Sequence, residues 1–264
     1  MSNFEITFLG TNGSIAYNHG GRVKYGTNSI CAVVKAGNDT LIFDAGTGLP
    51  GIAKIETGHE INIFLSHYHT DHISGLLFYP AFFDPQKTIS FYGLGDVEAI
   101  IDDFLSPPLH PINLKLFNAA LEFNSVSSGD VMHISEDVSV KAYQVSHPGG
   151  ALAYRVEYDG KSLCYLTDCE LSNHQDDEGL LSFAKGVDLL VFDAFFDDGK
   201  VIKGWGHPSF TECAEWAKKA EVKRLSLFHH EFKLTDAEID EREAKAKEIF
   251  PETFTAADFM TVII

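Results

Sequence analysis

Ile61-Asn62-Ile63-Phe64-Leu65-Ser66-His67-Tyr68-His69-Thr70-Asp71-His72 joins an apolar run directly to four side chains of metal-ligating type. Residues 61 to 65 read as a buried strand, and the carboxyl ends of strands are where α/β folds place their chemistry. In an extended segment residues two apart point the same way, so His67 and His69 are placed to share one metal. A turn beginning near Thr70 then swings Asp71 and His72 towards a second position. Imidazole nitrogens and a carboxylate suit zinc and other first-row divalent ions. A lone histidine is more often a satisfied structural residue, but four such groups so close together are hard to explain as surface decoration.

Outward from this segment the chain reads as β-rich. Phe4 to Leu9 is strand-like, and Ile30 to Lys35 and Thr40 to Phe43 form a hairpin across Ala36-Gly37-Asn38-Asp39. A second hairpin joins Ala151 to Tyr158 with Ser162 to Leu166 through Asp159-Gly160-Lys161, where Asp-Gly suits a type I′ turn. Each hairpin runs into an aspartate, Asp44 and Asp168, an echo that two similar β-rich units would leave. Further on, 208 to 220 reads as a helix with Pro208 in its first turn, 223 to 229 as a strand, and 235 to 249 as a polar helix capped by Thr235 or Asp236. Between His72 and Asn118 the prolines interrupt any long helix; this stretch, rich in Phe and Tyr, is either core with a rigid loop or an apolar wall beside the site.

Length and charge narrow the classes. A chain of 264 residues suffices for one α/β domain spanning 1–264. Its 38 acidic and 20 basic residues give a formal charge of −18, which repels polyanions over the surface as a whole, so no long nucleic acid is expected as partner. Divalent metals in a cleft would still attract a single phosphate. Cys31, Cys164, Cys169 and Cys213 show no C-x-x-C spacing and read as reduced thiols. No run approaches the ~18 apolar residues of a membrane span, and the start lacks the pattern of a signal peptide, so the expected location is cytoplasmic, with no membrane partner. The sequence leaves open whether the chain is a monomer or a homodimer.

The motif H-x-H-x-D-H, preceded by an apolar strand and by Phe43-Asp44-Ala45-Gly46-Thr47-Gly48, resembles the metallo-β-lactamase superfamily over nearly the whole chain. The resemblance implies a four-layer αββα sandwich with two divalent metal ions at one edge: zinc first, with Mn2+ or Fe2+ as alternatives. It implies one site of His67, His69 and a later histidine, and another of Asp71, His72 and a final histidine. His147, in Gln144-Val145-Ser146-His147-Pro148-Gly149-Gly150, matches the first of these. Asp168, closing Leu163-Cys164-Tyr165-Leu166-Thr167-Asp168, matches the carboxylate that bridges both metals. The final ligand falls in Leu225-Ser226-Leu227-Phe228-His229-His230 and is assigned to His229, with His230 as the alternative. Asp44, by family position, buttresses the metal-binding loop.

True β-lactamases often carry a zinc-binding cysteine where this chain has Asp168, and Cys169 is one residue out of register, so lactam hydrolysis is disfavoured. Gly204-Trp205-Gly206-His207-Pro208-Ser209-Phe210 resembles the phosphodiesterase branch, which includes tRNase Z and small cyclic-nucleotide phosphodiesterases. In that branch the histidine matching His207 contacts the phosphate or protonates the leaving oxygen; the alternative is a histidine capping the following helix. The resemblance thus implies a phosphodiesterase for a small anionic diester, a cyclic nucleotide being the first compound to try, with Asp71 and His207 as its catalytic residues. A glyoxalase-II-like thioesterase and a metal-stabilised binding protein without turnover are the two other readings.

Overall fold

The structure, a computed structural model of the chain, describes residues 3–55, 57–173 and 177–264. Two seven-stranded sheets face one another. The first contains β1 (Phe4–Gly10), β2 (Cys31–Ala36), β3 (Asp39–Phe43), β4 (Glu60–Phe64), β5 (Thr88–Gly93) and β6 (Ala120–Ser125) side by side in that order. The second contains β7 (Val131–His133), β8 (Val138–Val145), β9 (Ala151–Tyr158), β10 (Lys161–Leu166), β11 (Leu189–Asp193), β12 (Leu225–Phe228) and β13 (Thr253–Thr255), again in chain order. The last strand, β14 (Thr261–Ile263), returns to the first sheet beside β1. Helices α1 (Thr70–Ile73), α2 (Val97–Phe104), α3 (Glu178–Ala184), α4 (Phe210–Lys219) and α5 (Asp236–Ile249) complete the chain.

Burial follows from the strand pattern. One set of inward residues, including Phe4, Phe8, Phe43, Phe64, Tyr154, Tyr165 and Phe228, fills the space between the sheets. The outer face of the first sheet packs Val33, Ile42 and Ile63 against Val97 and Ile101 of α2. The outer face of the second packs Leu190 and Leu227 against Ala214 and Ala217 of α4 and Ala246 of α5. With both faces covered, the central strands read as continuous apolar runs, and the arrangement is the expected αββα sandwich.

Both hairpins form. Asp159 and Gly160 take φ of 51° and 71°, as a type I′ turn requires. The echo between the halves is real: β2 and β3 are antiparallel and β3 then pairs in parallel with β4, just as β9 and β10 are antiparallel and β10 pairs in parallel with β11. The helix expected over 208 to 220 is shorter. Ser209 is its N-cap, in a reciprocal capping box with Glu212, and Pro208 stays outside because its carbonyl accepts from the Phe196 N–H at 3.1 Å. Thr235 caps α5 in the same way with Glu238. The stretch after His72 is more than a connecting loop, supplying β5 to the first sheet and α2 to its outer layer.

Candidate metal centre

The parallel strands end level with one another, and the residues at their ends converge. Asp44 follows β3, His67 lies three residues beyond β4, Asp168 lies two beyond β10, Asp193 closes β11, and His229 follows β12. Asp44, Asp168 and His229 all take left-handed backbone conformations, with φ of 57°, 53° and 54°. This turns each side chain out of the strand's pleat and onto the sheet edge. A left-handed φ is uncommon outside glycine, with Asp, Asn and His the most tolerant residues. His229 and His230 therefore diverge because the strand stops at Phe228, not because a continuing pleat alternates their faces.

Two groups of ligand atoms result. His67, His69 and His147 offer ring nitrogens within 4.8 Å of one another, and so do Asp71, His72 and His229 with a carboxylate oxygen. His69 and Thr70 open α1, and this short turn redirects Asp71 and His72 as expected. Asp168 lies between the groups. Its Oδ1 is 3.6 Å from His147 Nε2 and 3.9 Å from His67 Nε2, while its Oδ2 is 3.3 Å from His72 Nε2 and 3.4 Å from His229 Nε2. One oxygen thus faces each group.

Three of the histidines are oriented by a contact at the ring edge away from this centre. Asp44 holds His72 Nδ1 at 2.9 Å, Gly206 O holds His147 Nδ1 at 3.2 Å, and Ser66 Oγ stands 3.1 Å from His67 Nδ1. Asp44 is itself fixed by the Ser66 N–H and by the Tyr165 hydroxyl from the opposite sheet. Asp44 thereby ties His72 to the end of β4, an arrangement that suits a group supporting a ligand. Fully buried Asp193 faces His229 Nδ1 at 3.5 Å and binds His207 Nδ1 at 2.6 Å. Asp193 was not found by reading the sequence.

Two glycines allow the close packing. A Cβ on Gly206 would stand 2.0 Å from His147 Nδ1, and one on Gly13 would stand 2.4 Å from His229 Cε1. The loop after β1 closes the centre from above, the Ser14 N–H donating to Asp71 Oδ2 at 2.7 Å. Buried Glu170 fixes the loop before His207, its Oε2 accepting from the N–H groups of Gly204 and Gly206. None of these three contributions was anticipated.

The donor set fits divalent cations. His67 Nε2, His72 Nε2 and His229 Nε2 are buried without a hydrogen-bond partner, although buried polar atoms are normally paired. All three point at the space around Asp168. Asp168, Asp193, His207 and His229 also lie close together, but the 2.6 Å contact between Asp193 and His207 is a direct hydrogen bond and leaves no room for an ion.

The electrostatics divide along the same line. Burial lowers the pKa of His67, His69 and His147, so the first group is held as neutral imidazoles, the form that binds metal. Burial also opposes charge on His72, but Asp44, Asp168 and Asp71 outweigh it and raise its pKa to about 9. His229 is raised in the same way against burial, chiefly by Asp168 and Asp193. Burial works against an ionised Asp168 too, yet the surrounding imidazoles, His229 foremost, hold it well below the usual carboxylate range.

His207 lies beside this centre. It stacks between Phe195 and His229, with centroids 4.7 and 5.0 Å away, and lines a cavity of about 410 Å³ together with Tyr68, His69, Asp71, Asp168 and His229. The cap of α4 is Ser209, so His207 is not a helix-capping residue. His230 points elsewhere. It is buried against Tyr25, with Nε2 3.4 Å from the Ala256 carbonyl.

Among known proteins, a ribonuclease Z from Metallosphaera sedula is 40% identical over 81 residues, 31% of this chain and 27% of the relative. A ribonuclease Z from Picrophilus torridus is 25% identical over 315 aligned residues, covering 98% of this chain and 95% of the relative. The solved structure of a diphosphatase from the PhnP family superimposes with a TM-score of 0.75 at 18% identity, covering 99% of this chain and 98% of that one. The family model for the beta-lactamase superfamily domain matches residues 36–230, from the end of β2 to His230. The chain belongs to that superfamily, as a metallo-hydrolase of its fold.

Proposed function

We propose that the chain is a dinuclear metal-dependent phosphodiesterase for a small diester, a cyclic nucleotide being the first candidate. The observation that carries this reading is Asp168, one oxygen towards each ligand group, at the base of a cavity that also contains His207. His67, His69 and His147 would hold one ion and Asp71, His72 and His229 the other, with Asp168 shared. Mixed nitrogen and oxygen donors favour zinc, with Mn2+ or Fe2+ as alternatives. Divalent cations held there supply Lewis-acid chemistry and make water a stronger nucleophile.

The protein's own groups do the rest. Asp71 Oδ2, held by the Ser14 N–H, lies 3.5 Å from both His72 Nε2 and His229 Nε2 and orients the attacking water. His207 has Nδ1 held by Asp193, which leaves Nε2 to donate a proton to the departing alkoxide, an effect typically worth ~10²–10⁴-fold. Phe195, stacked on His207, keeps the ring from rotating out of that position.

A ribonuclease reading is favoured by the names of the full-length relatives. Against it stand the charge of −18 and the length of the Picrophilus torridus alignment, which exceeds the 264 residues of this chain, so that relative carries residues absent here. Bis(p-nitrophenyl) phosphate should be hydrolysed by metal-loaded protein, stopped by chelator and restored by added metal, and S-lactoylglutathione should not. Faster thioester than diester turnover would transfer the assignment to the thioesterase class, and no turnover of either to a binding protein. Cleavage of a tRNA precursor outpacing that of cyclic AMP would favour the ribonuclease. No helix among the described residues is long and apolar enough to cross a membrane.

The ligand assignment has its own test. His229→Ala should lower metal content and activity together, whereas His230→Ala should leave metal content near the wild-type value and lower thermal stability through lost packing. Elemental analysis of both variants decides it, and loss of metal from the His230 variant alone would reverse the assignment.

A further inference from the structure

A second cavity, of about 340 Å³, opens on the His67 and His69 flank of the centre. It shares Tyr68 and His69 with the cavity that contains His207, and its far wall is Leu94, Gly95, Ile100, Pro148 and Gly150. The walls are fixed. The Tyr68 hydroxyl donates to the Leu94 carbonyl at 2.7 Å, so its proton is not a free donor to the cavity. The Gly150 N–H closes the turn onto the His147 carbonyl at 2.8 Å.

Glycines form part of the rim of the cavity. Gly95 and Gly149 adopt φ of 68° and 89°, and a Cβ on either would meet nothing within 4 Å. Any side chain there would be strained and would project into free space. The charge nearby has one sign. Helix α2, which contributes Ile100, begins at the capping carboxylate Asp96 and carries Glu98, Asp102 and Asp103, while no lysine or arginine among the described residues lines the cavity.

Resting on the phosphodiesterase reading, we propose that this cleft is the subsite for one ester substituent of the substrate. It selects an uncharged, apolar group of about one ring over a further phosphate or a carboxylate. The phosphate sits over the ligand groups, and the substituent lies between the Tyr68 ring and Ile100, against the glycine turn. A chain continuing through this side with another phosphate would meet the acidic start of α2, without a cation to offset it. Burying a ring in place of a methyl group there should tighten binding roughly ten- to a hundred-fold.

Titration calorimetry of the metal-loaded full chain with phenylphosphonate, methylphosphonate and 2-carboxyethylphosphonate tests this without turnover. The phenyl compound should bind at least ~10-fold more tightly than the methyl compound, and the carboxyethyl compound more weakly than either. Ile100→Trp, which fills the cleft, and Leu94→Asp, which adds charge to it, should each erase the phenyl preference, circular dichroism confirming that the variants are folded. Equal affinity of the phenyl and methyl compounds for wild type, or tightest binding of the carboxyethyl compound, overturns the proposal. Bis(p-nitrophenyl) phosphate hydrolysis, followed in parallel, separates the two claims: an intact phenyl preference without turnover removes the phosphodiesterase reading and supports the subsite.

Discussion

Asp168→Ala is expected to reduce metal content from about two ions per chain to less than one and to lower kcat by on the order of 10³-fold or more. Disturbing a group that merely supports a ligand costs about 10–100-fold, and Asp168 faces both ligand groups with separate oxygens, so its removal affects both positions. Part of the loss with alanine could come from the backbone, because Asp168 has a φ of 53°. Asp168→Asn controls for this, since asparagine tolerates that conformation and keeps one oxygen. Elemental analysis after gel filtration gives the result. Wild-type protein that is fully active with one ion or fewer would refute the dinuclear reading, and loss of a single ion from Asp168→Ala would restrict Asp168 to one position.

His207→Ala is expected to keep both ions yet lose at least ~10²-fold in kcat on a diester with a poor alkoxide leaving group, such as a cyclic nucleotide. Activated p-nitrophenyl esters should lose much less, because p-nitrophenolate departs without a proton. Asp193 remains to face His229 in this variant, which is why metal retention is expected. Comparing kcat on a cyclic nucleotide and on bis(p-nitrophenyl) phosphate in both proteins distinguishes the roles. Equal losses on the two substrates would make His207 a phosphate binder, and no loss on either would remove it from the mechanism.

What could be read from the sequence was mostly local. His67, His69, Asp71 and His72 lie within one strand end and one turn, so periodicity alone relates them, and the hairpins before Asp44 and Asp168 carry their own turn signals. Asp193 escaped because a single acid after Leu189-Leu190-Val191-Phe192 has no polar neighbour to mark it. Its signal was the repetition: an apolar strand ending in aspartate, as at Asp44 and Asp168. The loop Gly10-Thr11-Asn12-Gly13-Ser14 drew no reading, since its partners Asp71 and His229 are distant in sequence. At α4 the proline drew the boundary two residues too early, although Ser209 and Glu212 already spelled the capping box that sets it. The stretch after His72 hid a strand and a helix because its prolines fall in the short turns around them and not inside them.

The two ligand groups draw on both sheets. His67, His69, Asp71 and His72 come from the first, while His147, Asp168 and His229 come from the second. Bound ions would therefore act as stitches between halves of the chain, adding to the apolar core and to the hydrogen bonds that Tyr165 and Tyr154 make to Asp44 and to the Leu65 carbonyl, and their binding energy would add to the stability of the packed pair. The order of synthesis then matters. A nascent chain that has emerged only through β6 would expose four candidate ligands without their partners, a weak and promiscuous grip on whatever ion is abundant. On the proposed ligand assignment, selective loading would wait until His229 has left the ribosome and the second sheet has closed over the first, so metal choice would fall to the finished fold and not to the growing chain.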